Sequence, residues 1–233
     1  MPEIPSSVPW TTKLAWAERL VIDGKTYKPT SLFKVSPTKN CSGRNMAEDE
    51  YVDSPNGKWR YSEIILPRGR HLDTWRGSRF GSVAFTTDVI IPRIHEVHKS
   101  GGLTLWMSFT PAELFSMRTG ARKAKGTTII AGLGMGCLLR MVLDKKSVKK
   151  VILVEQDQDI VDWILPVIMN GDGEKVEVVI IGDAHKVLPT IEGDIALIDI
   201  DEGYGNNTFR EDCPFEKWIW GSATIVNSGR NGW

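Results

Sequence analysis

The sequence predicts an α/β fold, with a doubly wound parallel sheet in the C-terminal half and a β-rich region before it. After residue 126, short apolar runs alternate with helical segments, as in consecutive βαβ units. A glycine-rich stretch joins the first of these runs to its helix. Before residue 66, turn signals separate short strand-like segments, which is typical of hairpins. We therefore divide the 233 residues into a β-rich N-terminal region, 1–105, and a Rossmann-like domain, 106–233.

The composition indicates a globular protein. No run of about 18 apolar residues occurs, so no transmembrane helix is expected, and the first ten residues lack the pattern of a secretory signal. We accordingly expect a cytoplasmic protein that does not bind membranes. The three cysteines, Cys41, Cys137 and Cys213, form no C-x-x-C pair, which predicts free thiols and no metal site.

The charge is distributed unevenly although its sum is zero. Lys and Arg minus Asp and Glu give 19 − 12 = +7 for residues 1–126 and 10 − 17 = −7 for the remainder. The two halves can neutralise each other, or the first half can face an anionic partner. The basic stretch 68–79 includes Trp75 and would suit nucleic acid. Basic runs are more often solvated, so we favour a small-molecule partner.

Two hairpins are predicted in the N-terminal region. Leu20–Ile22 and Lys25–Tyr27 flank Asp-Gly, which tolerates the positive φ angles of a type I′ turn. A second turn at 55–57 leads into a strand at 59–65. The polar stretch 36–49 is predicted to be a loop. Residues 68–94 give no clear assignment.

A helix is predicted from Pro111 to Lys125. Thr110 at the N-cap, Pro111 at the first helical position and Glu113 at the third have the spacing of a capping box, and Gly126 follows the helix.

The alternating elements that follow are short and mostly apolar, as buried parallel strands are. The predicted strands are Thr127–Ala131, Val151–Val154, Val176–Ile181, Asp194–Ile198 and Ala223–Val226. The predicted helices are Cys137–Asp144, Asp157–Met169, Ala184–Leu188 and Arg210–Trp220. Right-handed connections between such units make the sheet parallel.

The sheet is expected to be a short one. Only seven residues, 227–233, follow the fifth predicted strand, too few for a further helix and antiparallel hairpin. We expect five parallel strands, with the free edge left open, covered by the N-terminal region or shared with a second copy in a homodimer.

The glycine loop predicts a nucleotide site. Gly132, Gly134 and Gly136 follow the first strand, where glycines allow a tight turn and close approach of a ligand to the backbone. Glu155 ends the next strand, where a carboxylate can accept hydrogen bonds from ribose. Cys137 occupies the third glycine position of a dinucleotide fingerprint, and no Gly-Lys-Ser/Thr occurs. Both facts argue against a dinucleotide or a nucleoside triphosphate.

These segments resemble the class I S-adenosylmethionine-dependent methyltransferases, and within them the spermidine-synthase-like branch. The resemblance covers residues 106–203 and is carried by the stretches IIAGLGMGCLLRMVLDKKSVKKVILVEQDQDIV, IGDAHKVLP and DIALIDID. It implies S-adenosylmethionine as cofactor, with the glycine loop on its amino-acid part and Glu155 on ribose. Asp183, with Ala184 beside it, is then placed on the adenine amino group.

The catalytic candidates are Asp199 and Asp201, at the carboxyl end of the fourth strand. A carboxylate there can deprotonate or orient an amine or hydroxyl nucleophile. His185 is an alternative acid or base if Asp199 does not have this role. Spermidine synthases carry an Asp where Gly134 stands, and their later acids are out of register here, which argues against a polyamine product. We expect methyl transfer to an unidentified acceptor, with the N-terminal region capping or widening the substrate cleft. Aminopropyl transfer and nucleotide binding without turnover are the alternatives.

Overall fold

The computed structural model describes eleven segments of the chain. They are residues 13–14, 20–22, 25–27, 34–35, 51–66, 71–76, 79–84, 89–108, 111–169, 175–201 and 208–221. The chain divides between Leu114 and Phe115 into two compact units. Each unit is described by itself below.

Strands account for most of the described residues of the first unit. These strands are β1 (Lys13–Leu14), β2 (Leu20–Ile22), β3 (Lys25–Tyr27), β4 (Lys34–Val35), β5 (Val52–Asp53), β6 (Trp59–Leu66), β7 (His71–Arg76), β8 (Arg79–Ala84), β9 (Val89–Val97) and β10 (Leu103–Ser108). A four-stranded antiparallel sheet has the order β10-β9-β6-β5, and β2–β3, β7–β8 and β1–β4 form separate pairs. A β-rich N-terminal region is therefore confirmed.

Both predicted hairpins are present. Leu20 pairs with Tyr27 across the antiparallel β2–β3 pair. In the second hairpin, Gly57 has φ 74° and the Asn56 side chain accepts a hydrogen bond from the Lys58 amide at 2.8 Å. The unassigned stretch contains the β7–β8 hairpin and the start of β9, while the predicted loop 36–49 lies outside the described residues.

The second unit contains alternating strands and helices. After α1 (Pro111–Lys123), which crosses the boundary between the units, come β11 (Gly126–Ala131), α2 (Cys137–Leu143), β12 (Val148–Glu155), α3 (Gln158–Ile168), β13 (Val176–Ile181), α4 (Ala184–Val187), a 3₁₀ turn (Leu188–Thr190), β14 (Ile195–Ile198) and β15 (Glu216–Ile219). The sheet order is β13-β12-β11-β14-β15, and every pair is parallel. The described residues thus form the predicted Rossmann-like fold, with five parallel strands among them.

Burial follows position in this sheet. All four residues of β14, an interior strand between β11 and β15, are buried, because neighbouring strands and covering elements remove them from water on both sides. Edge strand β13 instead exposes Val178, Val179 and Ile181. No helix within the described ranges is long and apolar enough to span a membrane.

The fifth strand is not where it was predicted. Residues 216–219, assigned to a helix at 210–220, form β15, and the predicted strand 223–226 lies outside the described residues. Trp218 and Trp220 are both buried. Two side chains two positions apart share one face of an extended chain but not of a helix, so burying both tryptophans favours the strand.

Helix α1 packs on this tryptophan pair through one of its faces. The Trp220 indole N–H donates to Ser116 Oγ at 2.8 Å, and the Trp218 ring lies against Gly120. Ser116 and Gly120 are four residues apart and therefore neighbours on the helix surface. At the helix start, Glu113 accepts hydrogen bonds from the Ser108 amide at 3.1 Å and from its hydroxyl at 3.0 Å, while its predicted partner Thr110 lies outside the described residues.

Gly120→Ala tests whether this packing outweighs helix propensity. Alanine is better than glycine in a helix interior by about 1 kcal/mol. Here its Cβ would overlap the buried Trp218 ring, and overpacking costs about 1–3 kcal/mol. We expect net destabilisation in urea unfolding. Lys123→Ala, which removes only an exposed pair with Glu216, is the control and should change stability by less than about 1 kcal/mol. A more stable Gly120→Ala variant would contradict the packing.

Candidate functional site

The site lies where the direction of sheet assembly reverses. From central β11 the chain proceeds outward to β12 and β13, and then crosses to β14 and β15 on the other side of β11. In open α/β sheets, ligands bind beyond the carboxyl ends of the strands at this switch point. Every site residue predicted in the second unit follows or ends β11, β12, β13 or β14 at that edge.

The glycine loop after β11 requires glycine for two separate reasons. Gly132 has φ 91°, and a Cβ there would overlap the backbone carbonyl oxygen of Asp199. Gly136, with φ 75°, is the N-cap of α2, and a Cβ there would overlap the Ile168 side chain. Gly134 between them also has positive φ, 50°. The loop therefore leaves β11 in a conformation that other residues rarely adopt.

Glu155 ties the end of β12 to this loop. Its Oε2 accepts a hydrogen bond from the Leu133 amide at 2.7 Å, and its Oε1 accepts one from the Asp157 amide at 3.0 Å. Burial raises the pKa of this carboxyl, while hydrogen bonds from backbone amides, including that of Gln156, oppose the shift. The carboxylate thus helps to fix the loop before any ligand is considered.

Asp183 and Ala184 follow β13 beside Glu155. The Gly182 amide donates to the Glu155 carbonyl at 2.9 Å, which continues the strand pairing to the edge. Asp183 is the N-cap of α4, and its carboxylate accepts a hydrogen bond from the His185 amide at 2.9 Å. Ala184 is buried in the apolar cluster beneath the edge. A ligand over β12 and β13 would meet the Asp183 carboxylate, which is partly exposed.

Asp199 continues β14 into the switch point. Its amide donates to the Ala131 carbonyl at 2.8 Å, which holds its backbone beside Gly132. Its carboxyl forms no hydrogen bond with another residue in the described ranges. Burial, the nearby charge of Asp201 and the charge of Glu155 raise the pKa of Asp199 to about 7. The structure therefore brings these three acids together, and Asp199 exchanges its proton near neutral pH.

Asp201 is held on the outer side of this group. Its Oδ2 accepts a hydrogen bond from the Thr208 amide at 2.9 Å, and its Oδ1 accepts one from the Thr208 hydroxyl at 2.6 Å. The same hydroxyl lies 3.3 Å from Nε2 of His185. The sequence placed Asp201 correctly at the edge, but Thr208 carried no motif that would have linked it to Asp201.

His185 has a second partner that the sequence did not reveal. Its Nδ1 lies 3.0 Å from Oε1 of Glu211, and this contact holds the pKa of Glu211 below its usual value. Glu211 was predicted to lie in a helix, where its side chain would have had a different direction.

Among the described residues, no group of three or more His, Cys, Asp or Glu side chains could hold a metal ion.

The chain was compared with protein families, curated proteins and solved structures. No protein-family model matches the chain, and no curated protein is significantly similar to it. Solved structures similar to it include methyltransferases and spermidine synthases. Spermidine synthase from Thermotoga maritima is 16% identical, with 69% of this chain and 55% of that chain covered at a TM-score of 0.34.

Two further similar structures are named for different reactions. A dimethyladenosine transferase from Plasmodium falciparum is 24% identical, with 40% of this chain and 32% of that chain covered and a TM-score of 0.33. Δ(1)-pyrroline-2-carboxylate reductase from Thermococcus litoralis, in complex with NADH and L-proline, is 11% identical, with coverages of 73% and 57% and a TM-score of 0.33. The chain thus spans 32% to 57% of the three structures. At these scores the function has to be inferred from the site itself.

The raised pKa of Asp199 predicts a pH-dependent effect of Asp199→Asn on stability. The folded protein holds this proton up to pH of about 7, whereas the unfolded chain releases it near its ordinary value of 3.8. The stabilising effect of the proton is therefore complete below the lower value and is lost as pH rises through the higher one. The amide cannot ionise, so the variant should be more stable above pH 7, by at most about 4 kcal/mol.

Thermal unfolding from pH 4 to pH 9 measures this difference. The gain should shrink as pH falls and vanish near pH 4. Asp194→Asn at the opposite end of β14 is a poor control, because its carboxylate accepts the Thr127 amide. Asp162→Asn on the exposed side of α3 is a better one and should show no comparable trend. An Asp199→Asn effect that does not depend on pH would contradict the raised pKa of this carboxyl.

Proposed function

We propose that the second unit binds S-adenosylmethionine at the glycine loop and transfers its methyl group to a small-molecule acceptor. The observation that carries this proposal is the convergence, at one switch point, of a glycine loop, a ribose-type carboxylate and a carboxyl with a pKa of about 7. The first two features suit a nucleoside, and the third suits proton transfer at neutral pH.

The glycine loop fits a bound nucleoside. Because Gly132 lacks a Cβ, its backbone passes directly against the carbonyl of Asp199, and Gly132, Gly134 and Gly136 all have positive φ angles. Such a tight glycine loop suits the compact amino-acid part of the cofactor, which needs close contact with backbone groups.

The Glu155 carboxylate retains capacity for a ribose hydroxyl. A carboxylate offers about four acceptor positions, and the amides of Leu133, Gln156 and Asp157 occupy three of them. One position remains for a direct hydrogen bond from ribose. Asp183, on the adjacent strand, would accept from the adenine amino group with the oxygen that does not cap α4.

Asp199 would handle the proton of the acceptor. The cofactor supplies an activated methyl group, so the protein has to align the acceptor and take up one proton. A carboxyl with a pKa of about 7 is largely ionised just above neutrality and is still basic enough to accept that proton. Asp201 stands beside it as a second acceptor.

Glu155→Ala should weaken S-adenosylmethionine binding at least about tenfold. The variant loses a charge-assisted hydrogen bond, on the order of 1.5–3 kcal/mol, and also the anchor of the Leu133 amide. Titration calorimetry measures the affinity. Glu177→Ala is the matched control, since Glu177 lies near the amino end of adjacent β13 and pairs only with exposed Lys150 among the residues described. Equal affinities for the two variants would refute the assignment.

Asp199→Asn should leave S-adenosylmethionine affinity within about threefold and lower turnover about 100-fold or more, because the amide cannot accept a proton. Turnover is measured by incubating the protein with trideuteromethyl S-adenosylmethionine and a panel of amines, phenols and nucleosides, and by following product mass. S-adenosylhomocysteine as coproduct supports methyl transfer. Methylthioadenosine would indicate aminopropyl transfer instead, and binding without either coproduct would indicate a protein that does not turn over the cofactor.

A further inference from the structure

A chain of polar side chains extends outward from the acids at the switch point. It consists of Asp201, Thr208, His185 and Glu211, which we call the edge network. The three contacts between successive members measure 2.6, 3.3 and 3.0 Å. None of these contacts is needed to cap a helix or to pair a strand. The last two side chains, His185 and Glu211, are each about one third exposed, so the chain ends at water.

The backbone holds the outer members of the edge network firmly. Phe209, between Thr208 and Glu211 in sequence, is 1% exposed and belongs to the apolar cluster under the edge. Its ring lies 5.4 Å from the His185 ring, centroid to centroid. The Lys217 ammonium donates to the Glu211 carbonyl at 2.6 Å, and the Arg210 amide donates to Glu211 Oε2 at 2.9 Å. This segment is therefore anchored on both sides of the histidine contacts.

The number of protons in the edge network decides which of its contacts are hydrogen bonds. A carboxylate accepts only, so Glu211 requires a proton on Nδ1 of His185. The Thr208 hydroxyl has one proton, which it can donate to Asp201 or to Nε2 of His185, but not to both. All three contacts are hydrogen bonds at once only when the network holds one extra proton, either on Asp201 or as the second proton of the imidazole. The network thus has a place for one additional proton between two carboxylates.

The inner end of the network adjoins the proposed catalytic carboxyl. Asp201 is close enough to Asp199 for its charge to act on that group. Asp199 itself has no hydrogen-bond partner among the described residues through which a proton could leave. Asp201 is therefore the member of the edge network that is placed to take up a proton from Asp199.

We propose that the edge network is a proton relay for the reaction proposed above, on which this inference rests. The acceptor loses one proton to Asp199 or Asp201. From Asp201 that proton passes to the Thr208 oxygen while the hydroxyl proton passes to Nε2 of His185. The imidazolium then releases one proton to water. One proton leaves the acceptor and one leaves the protein, so charge is balanced. Asp201 is a catalytic residue here, and His185 and Thr208 act through it.

Nitrogen-15 NMR of the imidazoles tests the resting state of the relay without cofactor or acceptor. Above the titration range of the histidines, the neutral ring of His185 should carry its proton on Nδ1, facing Glu211. His185→Ala assigns the signal among the four histidines. Glu211→Ala should remove the preference for Nδ1. A wild-type ring protonated on Nε2 would overturn the relay, because that nitrogen could not then accept the Thr208 proton.

Kinetics test the transfer itself, with the acceptor found by the deuteromethyl assay. Thr208→Val keeps the shape of the side chain but removes the hydroxyl, and should lower turnover at least tenfold with S-adenosylmethionine affinity unchanged. Thr208→Ser should restore turnover. His185→Ala should lose activity to a similar degree and regain part of it when imidazole is added, which a purely structural histidine would not show. Thr190→Val, which removes a hydroxyl that bonds, within the described part of the chain, only to the nearby Val187 carbonyl, is the matched control.

The outcomes separate the two proposals. Protonation on Nδ1 together with loss of turnover in Thr208→Val supports both. Normal turnover in Thr208→Val, or no recovery of His185→Ala with imidazole, overturns the relay while methyl transfer stands. If no acceptor reacts and S-adenosylmethionine does not bind, the proposed function fails, and with it the relay as a catalytic device. The NMR result then still decides the geometry of the network.

Discussion

The contact that organises the second unit is the approach of Gly132 to the carbonyl of Asp199. It joins the end of central β11 to the end of β14, the strand on the other side of the switch point. With a side chain at position 132 the two segments would separate, and the carboxyl of Asp199 would move away from the loop. The amide of Leu133, next along the chain, is then available to Glu155 at the end of β12. The absence of a side chain at Gly132 thus allows the ends of β11, β14 and β12 to lie close together.

The same proximity creates an electrostatic conflict that gives the site its chemistry. Glu155, Asp199 and Asp201 stand near one another, and they differ in how their charges are stabilised. Glu155 receives backbone amides and Asp201 receives the Thr208 amide and hydroxyl, whereas Asp199 has no such donor among the residues described. The ionised form of Asp199 is therefore the least stabilised of the three, and its pKa is raised. In the proposed relay, the edge network carries that proton to solvent.

The sequence predicted the inner part of this arrangement because its signals are local. A strand, a glycine loop and an acid at the next strand end have fixed spacing, and β11, α2 and β12 lie close to their predicted bounds. The outer part depends on contacts that spacing does not encode. Trp218 and Trp220 are both buried, which favours β15 over the predicted helix. Glu211 and Thr208, which precede this strand, contact His185, a residue far away in the sequence. The spacing of the two tryptophans, two residues apart, is the feature of the sequence that could have predicted a strand here.

Hydrogen exchange measured with and without S-adenosylmethionine tests directly whether the switch point of the second unit is a nucleoside site. We expect slower exchange at the amides of 132–137, 155–157 and 199–201, with little change in β13 beyond its carboxyl end, and no such protection with NADH. Protection confined to the first unit, or equal protection by NADH, would contradict this expectation.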